Sequence, residues 1–135
     1  MTSYDLIARP IGRVSSDLIS LADAPKQGSE GGPEAWIELE ETYAPGLAGI
    51  KVGQLLIVVT WLHHARRDLL KVHPRDDQAA PLAGVFLTRS ADRPNPIGLH
   101  PVTVKAIDGT RLRVGPLEAV DGTPVIDLKP VIGGE

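Results

Sequence analysis

Residues 97–114 read IGLHPVTVKAIDGTRLRV. Val102, Val104 and Ala106 alternate with Thr103 and Lys105, and Leu112 and Val114 alternate with Arg111 and Arg113. That period of two marks half-buried strands, with one row of side chains inward and the other toward solvent. Asp108-Gly109 between the two runs predicts a β-hairpin closed by a type I′ turn, which needs positive φ at both central residues. The rest of the chain repeats these ingredients. Leu6–Val14 (LIARPIGRV) reads as a strand made irregular by Pro10 and Gly12, Glu34–Glu41 (EAWIELEE) as a half-buried strand, and Leu55–Leu62 (LLIVVTWL) as a buried one. A second Asp-Gly, Asp121-Gly122, precedes the last apolar run. Six or seven short strands with closely spaced turns predict an all-β fold, a small single-domain β-barrel or compact sandwich with few short helical turns.

Upstream of the hairpin, Gly84–Pro96 reads GVFLTRSADRPNP. Val85, Phe86, Leu87 and Thr88 suit a strand. Beyond them Pro94 and Pro96 each fix φ and push Arg93 and Asn95 toward extended backbone, so this loop is stiff. Arg89 and Arg93 flank it, and preorganised donors beside rigid carbonyls suit recognition of a polar ligand. An ion pair between Arg93 and Asp92 in a purely structural crossover is the plainer alternative.

The chain has 135 residues, no cysteine and a net charge of −3. That length predicts one domain. Without cysteine there are no disulfides, iron–sulfur clusters or thiolate zinc sites. No apolar run is long enough to cross a membrane as a helix, and the opening MTSYDLIARPIG lacks a secretory layout, so a cytoplasmic protein is expected. Charge is unevenly spread. Up to Pro45 there are eight carboxylates against three Lys/Arg, whereas Arg66, Arg67, Lys71, Arg75, Arg89 and Arg93 gather between His63 and Arg93. That segment is a candidate for phosphate contact.

His63, His64, His73 and His100 raise a metal site. No H-E-x-x-H or spaced carboxylate set accompanies them, and adjacent histidines on a strand face opposite ways, so no metal is expected. Ser90 lacks a G-x-S-x-G elbow, and neither a P-loop nor G-x-G-x-x-G occurs. Asn95-Pro96 has a different use. An amide oxygen beside a fixed carbonyl offers acceptors of the kind that unrelated adenine-N6 methyltransferases set against an exocyclic amine, a chemical analogy. A hydrogen bond of Asn95 within its own loop is the plainer alternative.

Thr88–Leu99, T-R-S-x-x-R-P-N-P-I-G-L, resembles the signature of the TsaA/TrmO family. Arg9–Ser16 (RPIGRVSS), Tyr43–Ile50 and Asp121–Pro130 (DGTPVIDLKP) resemble it too. The resemblance runs to about Val131, which implies a single TrmO-like domain over 1–135 without the C-terminal domain of larger relatives. It implies a small β-barrel working as a homodimer, with S-adenosylmethionine as cofactor. The acceptor it implies is N6 of threonylcarbamoyl-adenosine beside the anticodon of tRNA. It assigns cofactor contacts to Pro25, Lys26 and Gln27, to His63 and His64, to Arg89 and Leu99, and to Gly115, Pro116, Leu117 and Glu118. Asn95 becomes the candidate catalytic residue, and Arg66, Arg67 and Arg93 the candidate tRNA contacts. Two rival readings use the same residues: a same-fold methyltransferase with another nucleoside or small-molecule acceptor, and a non-catalytic module that binds the cofactor or its product.

Overall fold

In the computed structural model, residues 5–18 and 32–133 are described. The strands are β1 (Gly12–Ser15), β2 (Ala35–Leu39), β3 (Leu55–Trp61), β4 (Lys71–Val72), β5 (Ala83–Gly84), β6 (Ile97–Asp108), β7 (Arg111–Gly115) and β8 (Pro124–Pro130). Six of them close an antiparallel barrel in the order β1-β2-β7-β6-β3-β8, while β4 and β5 pair as a separate ribbon. The all-β barrel expected from the alternation is therefore what forms.

Alternation sets which side chains fill it. In β2, Ala35, Ile37 and Leu39 are buried and Trp36 and Glu38 only partly so. In β6 the inward positions are Gly98, His100, Val102 and Val104. Ile37, Leu56, Leu112, Leu117 and Val125 are among the fully buried side chains that pack the interior, as side chains fill a barrel of this size. Outside, Trp36 lies against the Arg111 guanidinium, whose carbon is 4.3 Å from the ring centre.

The β6–β7 hairpin forms with a different turn from the one expected. Asp108 pairs with Arg111, so Gly109 and Thr110 are the loop residues. Only Gly109 has positive φ, 60°, which is the type II′ arrangement with glycine first. The seam between β1 and β8 is closed by Gly12 facing Val125 and Arg13 facing Pro124. Gly12 sits tightly against β2: a Cβ there would overlap the Glu38 carbonyl oxygen and come within 2.9 Å of the Leu39 Cα. Of the Leu6–Val14 run, only the part from Gly12 onward is strand, and Leu6 and Ile7 are exposed.

Val85–Leu87 is a 3-10 turn and not the strand its β-branched and aromatic residues predict. The cause lies downstream. The Arg93 guanidinium donates to the carbonyls of Val85, Thr88 and Ser90, each at 3.0 Å, and the Thr88 N–H and hydroxyl both return to Val85 O. The chain curls around that cation. Val85 is buried, and Phe86 and Leu87 both turn outward, 80% and 87% exposed. Arg93 therefore does not pair with Asp92, whose carboxylate accepts from the Arg66 N–H at 2.8 Å instead.

Candidate active site

The apolar filling stops at one end of the barrel. There the C-terminal end of β3 brings Thr60, the start of β6 brings Gly98 and His100, and Thr123 precedes β8. Thr60, His100 and Thr123 are the buried polar residues among those described. Each has a partner, as burial requires. Thr123 Oγ1 donates to Val120 O at 2.7 Å, and Thr60 Oγ1 and His100 Nε2 lie 2.7 Å apart. His100 Nδ1 meets Glu118 Oε1 at 2.5 Å.

Outside this end opens a cleft of about 1380 Å³, walled by residues 62–65, 73–76, 86–93, 97–101 and 118–120 among others. Three stretches far apart in sequence meet in it. His63 and His64 follow β3, Arg89 to Leu99 supply the stiff loop, and Pro116 and Glu118 come from the segment after β7.

The loop is zipped onto the chain that leaves β3. Leu62 N–H donates to Pro96 O at 2.8 Å and Arg93 N–H to Arg66 O at 3.0 Å. Arg67 adds a clamp: its Nε donates to Pro94 O at 2.7 Å and its Nη2 to Asn95 Oδ1 at 3.2 Å, with its guanidinium carbon 5.0 Å from the Trp61 ring centre. The donor identifies which end of the Asn95 amide is oxygen. That oxygen keeps a second lone pair for another donor.

The structure sorts the expected site residues. His63, His64, Arg89, Arg93, Asn95, Leu99, Pro116 and Glu118 line the cleft. Arg89 lines the cleft and makes no hydrogen bond or ion pair among the described residues. Leu117 is different: its side chain is fully buried in the core and its N–H is bound to Pro33 O at 2.8 Å. Gly115, crowded by Glu34 Cγ at 2.7 Å from where a Cβ would stand, also lies away from the cleft walls. Pro25, Lys26 and Gln27 fall outside the described residues. Arg66 grips Asp68 with two hydrogen bonds of 3.0 and 2.8 Å, and its cation holds the Asp68 carboxyl below its ordinary value mainly through them.

His63 and His64 occupy a turn after β3, and the strand geometry that would set them on opposite faces does not apply. Their ring centroids are 3.9 Å apart. Burial, and secondarily the neighbouring His64, lowers the His63 pKa from 6.5. In an NMR titration His63 is expected to protonate below the ordinary histidine value, with His64→Ala restoring only part of the difference because burial dominates. Unfolding returns His63 to 6.5. Between its two values the unfolded state binds more protons, so the contribution of this group to stability declines as pH falls through that window. An unshifted His63 resonance would contradict this.

Sequence reasoning missed Thr60 and did not assign His100 to the cleft's chemistry. A signal existed: His100 occupies an inward position between Gly98 and Val102, where an apolar residue is expected.

Comparison with known proteins agrees with the fold and the motif. Residues 13–134 match the family model described as the tRNA-methyltransferase O N-terminal domain. An S-adenosyl-L-methionine-binding protein of Archaeoglobus fulgidus is 42% identical over 124 residues, covering 92% of this chain and 88% of that protein. The probable S-adenosyl-L-methionine-binding protein VirR of Rhizobium radiobacter is 38% identical over 120 residues, 89% of this chain and 67% of its own. The crystal structure of TrmO from P. aeruginosa superposes with a TM-score of 0.77 at 26% identity, covering 97% of this chain and 56% of that one. A barrel of this topology with an Arg-Pro-Asn-Pro loop over its polar end defines the class, and the chain belongs to the TrmO N-terminal domain family. It spans little more than half the length of the TrmO chain it resembles.

Proposed function

We propose that this chain is an S-adenosylmethionine-dependent methyltransferase acting on tRNA, with N6 of threonylcarbamoyl-adenosine beside the anticodon as acceptor. The observation that carries the reading is the convergence of His63, His64, Arg89, Asn95, Leu99 and Glu118 on one cleft. Their chemistry fits the cofactor. The Arg89 guanidinium, without a partner among the described residues, suits a carboxylate, which it can grip with two hydrogen bonds. Glu118 suits hydroxyl donors, and Leu99, Ala119 and Pro116 add apolar wall. When bound, the cofactor supplies a methyl group on a sulfonium, already attached to a good leaving group. The protein's work is then alignment and exclusion of water. Asn95 accepts from the acceptor amine with the lone pair that Arg67 leaves, and Pro94 and Pro96 hold its backbone.

The partners follow the same reading. Leu70, Leu82, Phe86 and Leu87 are large exposed apolar side chains on or beside the β4–β5 ribbon, a face suited to a second copy of the chain. A homodimer working in the cytoplasm is the assembly we infer. Among the described residues no helix is long and apolar enough to cross a membrane. For tRNA phosphate, Arg66 is the better candidate of the adjacent pair, because a phosphate need only displace the exposed Asp68. Arg93 acts on RNA through the loop shape it holds.

The test uses methyl-labelled S-adenosylmethionine with tRNA that bears or lacks threonylcarbamoyl-adenosine. Label is expected only in the modified tRNA. Transfer to unmodified tRNA or to free nucleosides would replace the acceptor, and cofactor binding without transfer to any acceptor would leave a binding module. In the same system Arg66→Ala should flatten the salt dependence of tRNA affinity by about 0.9 in log–log slope, as loss of one phosphate contact on a duplex region does, with Arg67→Ala changing it less.

A further inference from the structure

Methyl transfer, as argued above, uses neither the buried His100 nor Thr60. We propose that His100 is a positioning residue that fixes the Glu118 carboxylate for the ligand, an inference that rests on the S-adenosylmethionine reading of the cleft. The His100 side chain is 4% exposed and that of Glu118 17%. Both ring nitrogens of His100 are engaged, Nδ1 by Glu118 Oε1 and Nε2 by Thr60 Oγ1.

Hydrogen inventory decides how the chain is wired. An ionised carboxylate can only accept, so the ring proton sits on Nδ1. In the neutral ring Nε2 then presents a lone pair, and the Thr60 hydroxyl has one proton to donate to it. Each contact then holds one proton, the ring N–H donating to Glu118 and the Thr60 hydroxyl donating to Nε2, which suits a site with little water. Glu118 is held through Oε1, and Oε2 remains to accept from a donor in the cleft. Ordering the carboxylate in advance removes rotamer freedom that a ligand would otherwise have to freeze.

The barrel is built to admit this chain. Thr60 faces Gly98 across the β3–β6 ladder, and a Cβ at Gly98 would stand 2.6 Å from both His100 Nε2 and Thr60 Oγ1. Glycine at this point of the Pro-Ile-Gly-Leu motif therefore makes room for the Thr60–His100 bond. On its other side, β3 meets β8 through an irregularity between Val59 and Thr60. A bulge of this kind re-aims a strand beside a site.

Calorimetry with S-adenosylmethionine on two variants tests the proposal. His100→Asn puts an amide N–H near the position of Nδ1 and keeps a donor for Glu118. His100→Gln reaches instead toward Thr60 and loses that donor. Affinity should fall by no more than about threefold for Asn and by about tenfold for Gln, the usual size of one lost hydrogen bond to a charged group. Glu118→Gln should weaken the wild type but add little to His100→Gln, since the two act as one unit. Equal losses for Asn and Gln, or fully additive losses with Glu118→Gln, would overturn the positioning role while wild-type binding still upheld the cofactor reading. A wild type that binds no S-adenosylmethionine would overturn both. The wiring is read without ligand or variant by the imidazole ¹⁵N shifts of the wild type, where a ring protonated at Nε2 alone sinks the proposal.

Discussion

Replacing Asn95 by alanine is expected to lower kcat and kcat/KM together by roughly 10²-fold, about 2.7 kcal/mol, while leaving S-adenosylmethionine affinity nearly unchanged. The argument is geometric. Asn95 stands between two prolines, its own carbonyl receives the Ile97 N–H at 2.7 Å, and its side-chain oxygen is turned by Arg67. An acceptor fixed in this way is most effective when the amine begins to give up a proton, which is a transition-state demand. On the proposed reading the cofactor is held by Arg89 and Glu118, which this substitution leaves in place. Steady-state kinetics on modified tRNA, with cofactor titration alongside, separate the two. If turnover survives while the loop loosens or cofactor affinity drops, Asn95 is a structural residue, and the analogy with unrelated adenine-N6 methyltransferases has no chemical content here.

The second large effect concerns the barrel itself. Gly12→Ala should destabilise the protein by about 3 kcal/mol or more, near the upper end for overpacking, because the added methyl group meets backbone atoms. Glu38 O and Leu39 Cα cannot rotate away as a flexible side chain would. Relief requires β1 to leave β2, and with it the packing of Val14 in the core. Denaturant unfolding followed by circular dichroism measures the loss. A variant within about 0.5 kcal/mol of wild type, the range of ordinary surface changes, would show that β1 shifts freely.

Where one face of a strand is buried, the sequence announced it. Ile37 and Leu39, Val102 and Val104, and Leu112 and Val114 alternate with polar neighbours, and each lies in the core. The stiffness of the Arg-Pro-Asn-Pro loop was also legible, because proline acts on its own backbone and on the residue before it. What escaped reading depends on partners that local pattern does not carry. Val85–Leu87 has strand-forming residues, yet Arg93 gathers its carbonyls from further along the chain. The turn at Gly109 was assigned one residue early, since register and not the Asp-Gly pair chooses the loop residues. The link from His100 to Glu118 crosses between separate segments, and nothing near either residue names the other. Leu117 stands beside Glu118 in sequence, but its side chain belongs to the core.

The seam between β1 and β8 joins strands from opposite ends of the described chain through two residue pairs, the fewest of any joint in the barrel. Closing it encloses nearly the whole polypeptide in one loop, so its entropic cost is the largest of any pairing here while its ladder is the shortest. Local opening is therefore easiest along this line. The same seam is tied to the segment that leads away from Glu118: Gly122 N–H donates to Val14 O at 2.8 Å, Asp121 N–H to Leu18 O, and Ser16 N–H to the Asp121 carboxylate at 3.0 Å. A breathing motion that parts β1 from β8 thus loosens one wall of the cleft and spares the Arg-Pro-Asn-Pro loop on the other. Thermal fluctuation in this barrel is directed toward the carboxylate side of the site.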